Sequence, residues 1–94
     1  MNNLHRSETT RDATLKQVAV IQGMIDDLER SVQILSIDIC NEEERVRVFN
    51  TSSPAYPVLA KALAARRDNL NLTIVLLAKR LHGVTVAAPA TQAA

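Results

Sequence analysis

The residues able to do chemistry in this 94-residue chain are few and scattered. Glu42, Glu43 and Glu44 form its longest acidic run and could offer paired carboxylates for acid–base work. Such a run is more often a solvated helix face, and Arg45 and Arg47 follow at once to neutralise it. Metal ligation needs His, Cys or carboxylates at converging spacings. His5, Cys40 and His82 show neither a CxxC nor an HxxxH arrangement, so no metal site is expected. A nucleophile–base pair would have only His82 to draw on, at the end of an element. Gly23 and Gly83 stand alone, which excludes a glycine-rich phosphate loop. No catalytic residue and no cofactor is expected. Cys40 reads as a small packed hydrophobe in a reducing compartment.

Basic residues are the other chemical resource. Lys61, Arg66, Arg67, Lys79 and Arg80 crowd the second half and could meet phosphates along one face. The net charge of +1 hides a division. Residues 1–44 hold nine acids and four bases, a net of −5, while residues 45–94 hold seven bases and one acid, a net of +6. The two halves are therefore expected to lie side by side and neutralise each other.

The elements that must position these groups are helices. Aromatic content of 2%, two glycines and three prolines argue against a sandwich or barrel, which needs frequent turn residues. Apolar residues recur in heptad steps, with Val18, Ile25, Val32, Ile39 and Val46 alternating with Ile21, Leu28, Leu35, Glu42 and Phe49. The spacing predicts one helix over about 10–49, with Ser7, Thr9 and Thr10 as candidate caps at its start. Residues 50–53 read as a turn, and Ser53-Pro54 as a helix start that Pro57 could displace to 57. Leu59, Leu63, Arg66, Leu70, Ile74, Leu77 and Leu81 predict a second helix over about 54–82, stopped at Gly83. Residues 1–9 read as a flexible tail and 84–94 as a disordered Ala/Thr/Pro tail. The expected fold is all-α, a long antiparallel two-helix hairpin. No signal peptide is evident, and the longest apolar run falls far short of the ~20 residues that cross a bilayer. A cytoplasmic protein without membrane contact is expected.

Two helices alone bury too little to be secure at this size, and small scaffolds often make up the deficit by oligomerising. A second apolar stripe answers that need. It comprises Val58, Ala62, Ala65, Leu72 and Leu76 on helix two, with Ile34 and Ile37 off the seam of helix one. The expected assembly is a homodimer closing into a four-helix bundle, with Asp38 or Glu42 pairing Arg66 near the seam to set its register. The function that follows is a non-enzymatic module acting through protein–protein contacts with itself, or with another helical protein, as scaffold, adaptor or small regulator. The same architecture resembles antiparallel hairpin dimers that bind RNA, which implies nucleic-acid contact through Lys61, Arg66, Arg67, Lys79 and Arg80. A third reading is a small helical enzyme in which Arg66 lines an anion pocket.

Overall fold

The computed structural model describes the backbone of residues 2–93 and the side chains of residues 10–86. Two helices, α1 (Asn2–Val46) and α2 (Val58–Ala93), pack against each other, with no strand among the described residues. This is the expected all-α hairpin. By contacts it divides into two compact units, Asp27–Ile74 around the turn and Met1–Asp26 with Val75–Ala94.

The heptad seam of α1 is real from Val18 to Glu42. Ile21, Ile25, Leu35 and Ile39 are buried, and Val18, Leu28, Val32 and Glu42 are half-buried at the intervening steps. It does not extend to Val46, which is exposed in the last turn of α1, nor to Phe49, which is 54% exposed and lies beyond the helix end. The end is made by Arg47, whose φ of 60° lies in the left-handed region. Its N–H donates to the Glu43 carbonyl at 2.8 Å, closing the helix with a single left-handed cap. The start at about 10 is likewise corrected to Asn2, since residues 2–22 contain neither glycine nor proline to interrupt a helix. Thr10 is not a cap: its carbonyl accepts the Thr14 hydroxyl at 3.0 Å within α1.

The connection is the eleven residues 47–57, longer than the four-residue turn expected. It is held by its own polar groups. The Asn50 side-chain oxygen accepts from Ser52 N–H and its carbonyl from Ser53 N–H, both at 3.0 Å. The Ser53 hydroxyl accepts from Ala55 N–H at 3.1 Å, and the Ser53 carbonyl from Tyr56 N–H at 3.1 Å. Ser53 thus caps a turn and not α2. The helix begins after Pro57, whose carbonyl accepts its first bond from Lys61 N–H at 3.1 Å. Pro57 keeps Tyr56 out of helical geometry, the displacement the sequence allowed for.

In the Asp27–Ile74 unit the core is Ile39, Tyr56 and Ala60, with Val48, Leu63 and Ala64 packed against it. Ala60 is wholly buried while Leu59 is 55% exposed, so the inner stripe of α2 begins one residue later than expected. The half-buried positions of that stripe are Leu63, Ala64, Arg67, Leu70 and Ile74, and its cation is Arg67 where Arg66 was expected. A small side chain at 60 lets α2 approach Ile39 and the Tyr56 ring closely, and leucine would not fit there. In the other unit Ile21 and Ile25 are buried, and Leu77, Leu81 and Val84 are half-buried.

Gly83 does not stop α2, for it has no positive φ and the helix runs on to Ala93. The expected tails at 1–9 and 84–94 therefore have helical backbone at 2–9 and 84–93. Met1 and Ala94, and the side chains of 1–9 and 87–94, lie outside the described residues.

Candidate interaction surface

The polar group nearest the seam is Glu42, half-buried at the helix-packing edge with its side chain 12% exposed. Its partner is not Arg66. Arg45, one turn further along α1, grips both carboxylate oxygens, Nε to Oε2 at 3.1 Å and Nη2 to Oε1 at 2.5 Å. This forked bond holds the Glu42 carboxyl below the usual carboxylate range, against the opposing pull of its partial burial. Arg66 is exposed, and among the described residues no ion pair joins it to Asp38 or Glu42. The expected seam triad of Asp38, Glu42 and Arg66 is thereby corrected. An i,i+3 partner on one helix needs no tertiary register, whereas Arg66 sits one residue off the inner stripe.

A second polar link was not legible beforehand. The Tyr56 hydroxyl donates to Glu43 Oε2 at 2.9 Å, tying the loop to α1 inside the Asp27–Ile74 unit. Burial, followed by the neighbouring Glu43 carboxylate, pushes the Tyr56 hydroxyl above its ordinary range. The only sign of it in the sequence is the aromatic character of Tyr56, because the connection of residues 47–57 carries no periodic signal.

Among the described residues the charge halves do not neutralise each other through direct pairs. Every described ion pair lies within one helix or its cap: Arg30 with Asp27, Arg45 with Glu42, Arg47 with Glu44 at 3.3 Å and Arg67 with Asp68 at 3.7 Å. Lys61, Arg66, Lys79 and Arg80 are exposed and pair with no described acid. At 100° per residue, Lys61 and Arg66 diverge by about 140° around α2, and Lys79 and Arg80 by about 100°. Within each unit the two exposed cations therefore point to different sides of α2.

Apolar side chains dominate what remains. Val58, Ala62, Ala65 and Leu72 of α2 and Ile34 and Ile37 of α1 are all exposed in the Asp27–Ile74 unit. Leu76 is exposed in the other unit. The second stripe is thus turned away from the seam on both helices. The terminal unit adds a groove of about 330 Å³ lined by Lys16, Gln17, Val20, Ile21, Met24, Leu77 and Arg80. Its signal in the sequence is the four-residue spacing of Lys16, Val20 and Met24, which places them on one face of α1.

Cys40 is a free, exposed thiol and not the packed hydrophobe expected. Among the described residues, no cluster of three or more His, Cys, Asp or Glu side chains could hold a metal ion. No described helix is long and apolar enough to cross a membrane. Compared with known proteins, the chain matches no family model, no curated relative and no solved structure.

Proposed function

We propose that this chain is a non-enzymatic helical module that acts through protein–protein contact, assembling first with a second copy of itself as a scaffold, adaptor or small regulator. The observation that carries this reading is the exposed apolar stripe. Leu72 is 64% exposed, Ile34 58% and Ile37 60%, yet only Ala60 is completely covered in the described core. Each exposed aliphatic side chain of this size offers about 1.5–3 kcal/mol on burial. A four-helix bundle is the simplest assembly that would cover such stripes on two antiparallel helices.

Sedimentation equilibrium tests it. A mass near twice 10.3 kDa at micromolar concentration is expected, with a melting temperature that rises with concentration. A folded monomer with a concentration-independent melt would sink the reading.

One observation favours a second reading, nucleic-acid binding: the exposed Lys61, Arg66, Lys79 and Arg80 have no described acidic partner. Their divergence around α2, and an aromatic inventory of Phe49 and Tyr56 with Tyr56 buried, weigh against it. Anisotropy with RNA and DNA oligonucleotides at low salt decides between them. Binding whose affinity falls steeply with salt, and weakens on charge reversal at Lys61 and Arg66, would promote the second reading.

A further inference from the structure

We infer that the groove of the Met1–Asp26/Val75–Ala94 unit is a self-docking site, which receives Ile34 of a second copy and sets the partner's Asp38 against Lys16. The inference rests on the homo-oligomeric reading above and specifies where the copies meet. The groove's apolar wall is Val20, Ile21, Met24 and Leu77, and its polar margin is Lys16, Gln17 and Arg80. Both charged lining residues are cations, and neither pairs with a described acid. It therefore fits an apolar surface bordered by a carboxylate.

The chain carries that surface itself. Ile34 is among the most exposed aliphatic residues of α1, and Asp38 one turn along the same face is exposed with no described ion pair. The spacing also matches. Four residues separate Lys16 from Val20, and four separate Ile34 from Asp38. Two α1 helices running in opposite directions can therefore set Lys16 beside the partner's Asp38 and Val20 beside the partner's Ile34 together. The same register brings the two copies of Asp27 together at its centre, each already bonded to its own Arg30.

Charge exchange, read by sedimentation equilibrium on the full chain, tests the site. Lys16→Glu and Asp38→Lys should each weaken the dimer by about tenfold or more, and the double variant should recover most of that loss. A dimer indifferent to both single changes would place the interface elsewhere while leaving the homo-oligomeric reading intact. A wild-type chain that stays monomeric would overturn both. A second measurement avoids dependence on the charge variants. In a Cys40→Ser background, Val20→Cys and Ile34→Cys are introduced together and the protein is oxidised. Fourteen residues along α1 separate these positions by about 21 Å, so a disulfide between them must join two copies. Rapid formation of the cross-linked dimer is expected. Its absence, in a sample that sediments as a dimer, would overturn the site.

Discussion

Arg47 holds a left-handed backbone at φ 60° that glycine adopts without cost and a side chain with a Cβ resists. It is tolerated because its N–H ends α1 on the Glu43 carbonyl. Arg47→Gly should therefore raise stability by roughly 0.5–1 kcal/mol in urea melts, despite the greater freedom of glycine in the unfolded chain. Valine at the same position should lower it. Glu42 gives a complementary expectation in pH. Its carboxyl is held below the ordinary range by Arg45, so the folded chain binds fewer protons than the unfolded chain where carboxylates titrate. The stabilisation is full above the ordinary glutamate value of about 4.3 and lost as pH falls through the lowered one. Glu42→Gln should flatten melting temperature against pH on this acid limb. A double-mutant cycle should find coupling between Glu42 and Arg45, and none between Glu42 or Asp38 and Arg66. The heptad pattern marked Glu42 as a polar seam residue, but it could not choose between a partner one turn away and one on the facing helix.

At the scale of the elements, both helices could be read from apolar spacing, and their ends were read less well. A run of alternating three- and four-residue steps is visible wherever the apolar residues are large, as along Val18–Ile39. It misleads where packing demands a small one. Leu59 looked like the inner residue because it is larger, but close approach selects Ala60, and Arg67 replaces Arg66 in consequence. The ends misled differently: Gly83 carries the composition of a stop signal without the left-handed backbone that makes one. A methyl group added there meets nothing within 4 Å. Gly83→Ala should accordingly stabilise α2 by roughly 0.5–1 kcal/mol, seen as a higher melting temperature, whereas a true glycine cap would be damaged by the same change. The loop has its own reporter in Tyr56. Its hydroxyl titrates above the ordinary range, so the folded chain holds that proton longer and the stabilisation is lost as pH rises beyond about 10. Tyr56→Phe should weaken the loop's tie to Glu43 and flatten this alkaline loss in melts recorded from neutral pH upward.

For the whole molecule, the opposed charges of its halves suggested that one helix neutralises the other, yet every described ion pair is local. Neighbours at i,i+3 meet at little entropic cost, while pairing across a helix packing must order two long side chains for a small gain at the surface. Among the described residues the complementary charge thus stays unpaired between the helices, and the second apolar stripe stays exposed. Leu70 and Leu72 separate the two apolar surfaces within one unit. Leu70 is half-buried on the inner stripe of α2, and Leu72 is 64% exposed on the second. Leu70→Glu places a charge in the packing between helices and should lower the melting temperature by a similar amount at every concentration. Leu72→Glu leaves that packing untouched and acts only where a second copy would bury the site. Its melting temperature should match the wild type in dilute solution and fall behind as concentration rises, so that the slope against the logarithm of concentration flattens. Circular dichroism melts from about 1 to 100 μM would resolve the difference, because association raises stability by mass action. Parallel curves for Leu72→Glu and wild type would take that stripe out of the interface.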